Sequence, residues 1–334
     1  MSNRGIELIQ EAKDFEKRSL HWEASEKYRD ALLDLNKTKG MDKEKALCKR
    51  KIREMNILKA EMFTKAPFQL ELSDRERREI DLFMLFLEEK NIDDALEAIG
   101  KSQIFHPAYD LIVDEAEQHL PISFQITSLD TQDEQGNFVR GGHDPSLVFL
   151  NQIYRMDQIK KSYLLLEPTI ASFMQERDLS HEDLFGYFSS RDIFSKDTLA
   201  TISAGCQRFF ATDYISALCV LVPIFEGAFF EAMTQASGGH VFIKSQNQKG
   251  SEGKVWTQDK ALGEDLIRSQ EVKDVLGEDF CEHVAFAYFS PLGIKLRHKI
   301  AHGEMQTEEY AIQNATLALY FLIALASRAK ESVI

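Results

Sequence analysis

Apolar residues recur at helical spacing through most of this 334-residue chain, and few residues would interrupt a helix. Only 7 prolines and 17 glycines are present, so long helices meet few breakers. Hydrophobic residues make up 44% of the chain and charged residues 28%, as in ordinary soluble globular proteins. The sequence therefore predicts a mainly α-helical protein with a substantial core.

Residues 1–66 predict a helical hairpin. Ala12, Ala24, Tyr28 and Ala31 keep the helical spacing, and their order resembles one unit of a tetratricopeptide repeat. No second copy of this unit follows, so a stacked array is not expected. We expect the hairpin to dock a protein partner or to cap the next domain.

A helical middle region is predicted for residues 67–190. Ser73 with Glu76, and Ser180 with Asp183, have the spacing of capping boxes that begin helices. Near residues 124–140, two short β-type segments flank the turn-like stretch TQDEQG, which predicts a small β-hairpin. The acidic residues there lack the spacing of an EF-hand, so no calcium site is predicted.

Residues 191–334 predict a helical bundle with an inserted loop at 237–262. The last helical segment is apolar enough to form the centre of a bundle or a dimer interface. The loop is rich in glycine and carries Lys244, Lys249 and Lys254, which could guide RNA. A mobile polar loop without a binding role is the alternative.

Charge, cysteines and apolar runs restrict the class of protein. The net charge is −14, although residues 1–66 hold 16 Lys+Arg against 12 Asp+Glu. General duplex binding is therefore not expected, and any RNA would meet a local basic patch. No signal peptide, membrane span, CxxC pair or metal-ligand set is recognised, so we expect a cytoplasmic protein with reduced thiols and no cofactor.

The stretch IKLRHKIAHGEM, residues 294–305, contains a cluster of basic residues, although the chain as a whole is acidic. One interpretation is a helix end, because basic side chains in a last turn complement the helix dipole and Gly303 would terminate the helix. The other is an active site. Histidine transfers protons near neutral pH, and a guanidinium can bind the charge that develops on a phosphate.

The motif resembles the R-x4-6-H signature of the HEPN superfamily, many of whose members are metal-independent ribonucleases. Arg297, His302 and the following Gly303 match it, and GIKLRHKIAHG resembles the family block around it. DYISALCVLVPIFEG, residues 213–227, resembles the family's second bundle helix. The most similar branch includes the C-terminal domain of the endoplasmic-reticulum-membrane-associated RNA degradation protein. Two positions depart from the family pattern: His298 replaces a frequent Asn or Asp, and Phe230 replaces a frequent arginine.

This resemblance implies an endoribonuclease in which the ribose 2′-OH attacks phosphorus, which restricts the substrate to RNA, single-stranded or tRNA-like. His302 would be the general base or acid and Arg297 the phosphate ligand. His298 and Lys299 would be secondary contacts. Glu226 would line the cleft, or would simply pair with the arginine.

Helix geometry sets a condition on this site. Residues five apart on a regular helix point about 140° apart, so the two side chains converge only if the helix ends near His302 or if a dimer completes the site. We expect a homodimer through the C-terminal helices, as in the family. By analogy the function would be that of a bacterial toxin or antiviral (phage-defence) effector. The alternative is a non-catalytic RNA-binding or scaffold protein with an inactive bundle.

Overall fold

The computed structural model is mainly α-helical, as predicted. It describes residues 4–62, 70–122, 144–236, 243–247, 255–259 and 262–329, and for 59–62 and the two short strands only the backbone. The chain divides into two compact units, Met1–Gln69 with Pro121–Val148, and Leu70–Leu120 with Phe149–Ile334.

Within residues 4–62 the first unit has three helices where a hairpin was expected: α1 (Arg4–Lys17), α2 (His21–Asn36) and α3 (Asp42–Met62). The second helix packs against both of the others. Their shared core consists of Ile9, Ala12, Ala24, Tyr28, Ala31, Leu35, Cys48 and Met55. The third helix extends the hairpin, and the likeness to a tetratricopeptide unit stays a prediction.

Further helices follow, and the segments predicted as middle region and as bundle share one hydrophobic core in the second unit. They are α4 (Asp74–Glu88), α5 (Ile92–Lys101), α6 (Tyr109–Gln118), α7 (Pro145–Lys160), α8 (Glu167–Glu176), α9 (His181–Ser190), α10 (Lys196–Phe210), α11 (Tyr214–Ala236), α12 (Glu264–Ile267), α13 (Gln270–Leu276), α14 (Glu278–Val284), α15 (Leu296–His302) and α16 (Ile312–Ala329). π-helical turns at Lys161–Leu166 and Ala285–Phe289 and a 3₁₀ turn at Thr307–Glu309 complete the helical elements described. Both predicted capping boxes, at Ser73 and Ser180, are present.

The last helix, α16, forms the centre of this core. Every residue from Asn314 to Ser327 is buried, and α5 and α11 pack against the helix. The α5 contact is close, because a Cβ at Gly100 would lie 2.2 Å from Ser327 Oγ. The apolar last segment is therefore a bundle helix. Neighbouring helices therefore cover its faces within the described residues, and the expected homodimer through the C-terminal helices stays a prediction.

The expected β-hairpin near 124–140 lies outside the described residues. Two antiparallel strands, β1 (Ile243–Asn247) and β2 (Val255–Asp259), occur within the segment predicted as an inserted loop. By length and composition α11 and α16 could each cross a membrane, although 83% of the most apolar window of α16 is buried in the protein, against 44% for α11.

Candidate functional site

The basic motif forms a short helix, α15, whose ends are both set by left-handed residues. Lys295 precedes the helix with φ 58°, and Gly303 follows it with φ 64°. The amide of Glu304 donates to the carbonyl of Lys299 at 2.8 Å, and the amide of Gly303 donates to the carbonyl of Ile300 at 3.3 Å. This is the Schellman arrangement, in which glycine adopts the left-handed conformation at the lowest cost. The predicted helix end at Gly303 is confirmed.

Arg297 forms an ion pair with Glu226 of α11. Its guanidinium Nη2 lies 2.5 Å from Glu226 Oε2, and the two side chains keep 37% and 29% of their exposure. The other carboxylate oxygen of Glu226 accepts a hydrogen bond from the Leu262 amide at 3.1 Å. The guanidinium also lies over the Phe289 ring, 5.7 Å from its centroid. Glu226 therefore holds the arginine in a defined but accessible position, as one of the two sequence interpretations expected.

The two histidines of the motif lie side by side on the solvent face of α15. The ring centroids of His298 and His302 are 4.4 Å apart with an interplanar angle of 48°. Both residues are exposed, and His298 Nε2 lies 3.5 Å from a carboxylate oxygen of Glu304. Residues four apart share a helix face, so the i, i+4 spacing explains this pair. Two imidazoles are thus presented together to solvent.

Lys299 has a different environment from the one expected of a phosphate contact. It is 4% exposed, and its ammonium pairs with Glu309 in the 3₁₀ turn before α16. The carbonyl of Glu309 in turn accepts a hydrogen bond from the Asn314 side chain at 2.8 Å. Lys299 therefore ties α15 to the start of the central helix and does not face outward with the histidines. Sequence reasoning missed Glu309, which lies ten residues further on and carries no local signal.

The lysines of the inserted segment are only partly placed. Lys244 lies in β1, where the backbone pairs it with Gln258 of β2. Lys249 and Lys254 lie outside the described residues. Their expected RNA contacts therefore stay predictions.

The Cys281-Glu282-His283 segment is buried and carries no metal site in the described structure. Glu282 pairs with Arg268 at 2.7 Å and with Lys273 at 3.1 Å. Burial raises the pKa of Cys281 to about 12 and lowers the pKa of His283 to about 3. Among the described residues, no group of three or more His, Cys, Asp or Glu side chains is arranged to hold a metal ion.

A groove among the described residues of the second unit lies between α4, α6 and α7. It has a volume of about 480 Å³ and combines apolar walls with Glu76, Glu115, Asp157 and Lys160. None of its lining residues belongs to α15.

Comparison with protein-family models, with curated proteins and with solved structures finds no match to this chain.

The candidate site consists of an accessible guanidinium held by a carboxylate, and of two adjacent exposed imidazoles on the same short helix. Such groups can bind phosphate and transfer protons without a metal ion.

Proposed function

We propose that this protein is a metal-independent endoribonuclease of HEPN type, with Arg297 and His302 as its catalytic residues. The observation that supports the proposal best is the presentation of both side chains on one short helix, each accessible to a polymer at the surface. The mainly helical fold agrees with it. The expected cytoplasmic location, the role in defence and a protein partner for residues 1–66 belong to the same proposal.

The reaction needs three things from the protein. His302 accepts the proton of the ribose 2′-OH, and the oxygen attacks the adjacent phosphorus. Arg297 binds the non-bridging oxygens, which gain negative charge in the pentavalent transition state. The 5′-oxygen then leaves with a proton, which in this proposal comes from His298, whose ring lies beside that of His302. The products are a 2′,3′-cyclic phosphate and a 5′-hydroxyl end.

Glu226 competes with the RNA phosphate for Arg297 in this proposal. In the RNA-free protein, Glu226 Oε2 lies 2.5 Å from Arg297 Nη2. In the complex a phosphate oxygen would take this position beside the guanidinium. A phosphate must therefore share or displace this ion pair. The pair also keeps the guanidinium in one orientation, which reduces the conformational entropy lost on binding.

A second function, non-catalytic RNA binding or a scaffold role, is favoured by the same ion pair. In this alternative the pairing of Arg297 with a carboxylate has a purely structural role, and the arginine does not contact RNA at all. The two functions differ in what the loss of His302 does, because only the nuclease needs its proton transfer.

The test is cleavage of labelled single-stranded RNA and of a tRNA pool by the full chain in excess EDTA. His302→Ala should reduce the rate by about 100-fold or more, the usual contribution of a general acid or base. The control is His119→Ala, since His119 is an exposed histidine away from the motif. Cyclic-phosphate ends with the wild type support the nuclease. Equal rates for His302→Ala and the wild type, or no cleavage by either, would reject it.

A further inference from the structure

Helix α4 carries a row of exposed residues at coiled-coil spacing. Arg78, Leu82, Leu85 and Glu89 follow one another at intervals of four, three and four, which places them on one side of the helix. All four are exposed, and the two leucines retain 67% and 56% of their exposure. We call these four residues the α4 seam.

The opposite side of α4 is anchored, so the seam is presented on a fixed helix. The Phe83 ring packs edge-on against Phe105 with 5.6 Å between centroids. At the C-terminal end, the guanidinium of Arg177 donates to the carbonyls of Leu87 at 2.7 Å and Lys90 at 2.9 Å. A pre-ordered apolar seam loses little conformational entropy when a partner covers it.

The charges at the two ends of the seam complement each other. The guanidinium of Arg78 donates to the backbone carbonyl of Asp74 at 3.2 Å, and within the described ranges no carboxylate pairs with it. Glu89, at the other end, likewise has no cationic partner there. The seam thus has a positive end, an apolar centre and a negative end.

We propose that the α4 seam binds the same seam of a second copy of this chain in antiparallel orientation. Leu82 of one copy then packs on Leu85 of the other, and Arg78 meets Glu89, twice by symmetry. A parallel pair would place arginine on arginine and glutamate on glutamate, which costs energy at both ends. The charge order therefore selects a two-fold antiparallel pair.

The size of the seam predicts a weak dimer. Two leucine layers flanked by Phe86, which is 44% exposed, bury less than the roughly 1,200 Å² of a standard stable interface. A reversible equilibrium is the consequence. This dimer goes beyond the proposed nuclease function and differs from the expected contact through the last helix, and it holds whether or not the protein cleaves RNA.

Sedimentation velocity of the full chain from about 1 to about 200 µM tests the proposal, since weak interfaces associate in this range. The wild type should shift from monomer to dimer, and Leu82→Glu should stay monomeric. The control is Leu33→Glu, because Leu33 of α2 is exposed to a similar degree, 64%. A wild type that stays monomeric overturns the proposal, as does a Leu82→Glu variant that still dimerises.

Charge exchange tests the antiparallel order itself. Arg78→Glu alone and Glu89→Arg alone should each weaken dimerisation about tenfold, because each puts like charges together at both ends. The double variant Arg78→Glu/Glu89→Arg restores opposite charges and should return to the wild-type dissociation constant. A double variant as weak as the single ones contradicts the antiparallel pair.

Discussion

Replacing His283 with leucine should remove much of the acid sensitivity of the second unit. His283 is fully buried in α14, and its ring lies edge-on to Phe321 with 5.1 Å between centroids. Neither ring nitrogen has a hydrogen-bond partner among the residues described. Burial, assisted by the positive charge of Lys161, lowers the pKa of His283 to about 3. The native protein therefore holds this imidazole neutral at physiological pH.

Proton linkage converts this burial into a pH dependence. In the unfolded chain the residue has its ordinary pKa of 6.5, so between pH 6.5 and about 3 the unfolded state binds a proton that the native state does not. The free energy of unfolding therefore falls as the pH falls through this window. At 1.36 kcal/mol per pKa unit, the loss from His283 is about 2 kcal/mol at a pH of about 5.

A second buried histidine acts in the same direction. His106 lies 6.1 Å from His283 between ring centroids, and its Nε2 is 3.0 Å from the guanidinium of Arg328. Burial first, and then the charge of Arg328, lower the pKa of His106 well below its ordinary value. The wild type should therefore lose more stability in acid than His283 alone explains. The His283→Leu variant should still show the loss of stability that is due to His106.

Urea unfolding followed by circular dichroism, at a pH of about 7 and of about 5, measures the effect. Near neutral pH, His283→Leu should lie within about 1.5 kcal/mol of the wild type, because it removes two unpaired nitrogens at similar volume. On acidification it should lose about 2 kcal/mol less. His119→Leu, at an exposed histidine, should follow the wild type. Parallel losses in the wild type and His283→Leu would refute the reasoning.

Three further substitutions test packing and the site. Gly100→Ala should lower the free energy of unfolding by about 1–3 kcal/mol, because the added Cβ would lie 2.2 Å from Ser327 Oγ. Gly186→Ala, whose Cβ would meet no atom within 4 Å, should raise it by about 0.5–1 kcal/mol. Thermal unfolding measures both changes, and equal shifts of the two variants would contradict this account. Glu226→Gln should raise RNA affinity several-fold, because the phosphate no longer competes with the Glu226 carboxylate for Arg297. The size of the gain corresponds to the loss of a part-exposed ion pair, which contributes about 0.5–1 kcal/mol. Filter binding at fixed salt measures it, and weaker binding would show that the carboxylate is needed to position the arginine.

Local signals in the sequence were sufficient for three of the helix ends. The capping boxes at Ser73 and Ser180 and the stop at Gly303 were predicted because each depends on residues within one turn of helix. The third helix within residues 4–62 and the strand pair at 243–259 were not predicted. Both depend on which segments pack together, and periodicity alone does not specify this.

The candidate site divides in the same way. The spacing of Arg297 and His302, and the i, i+4 contact of His298 with His302, follow from the order of residues along one helix. The burial of Lys299 against Glu309 could not be read from the chain, because the same lysine on an exposed helix face would have been solvated. The fold alone decided that one base of the motif is structural.

The sequence by itself determined the helical class, the ends of individual helices and the grouping of arginine and histidines, since these depend on propensities and spacings within a few residues. Only the tertiary structure decided that α16 is covered on its faces and that Glu226, 71 positions before Arg297, holds its guanidinium. It also decided that the leucines of α4 stay exposed while Phe83 turns inward. Burial and ion pairing join residues distant in the chain, and their free energies depend on the dielectric and the neighbours that the whole fold creates.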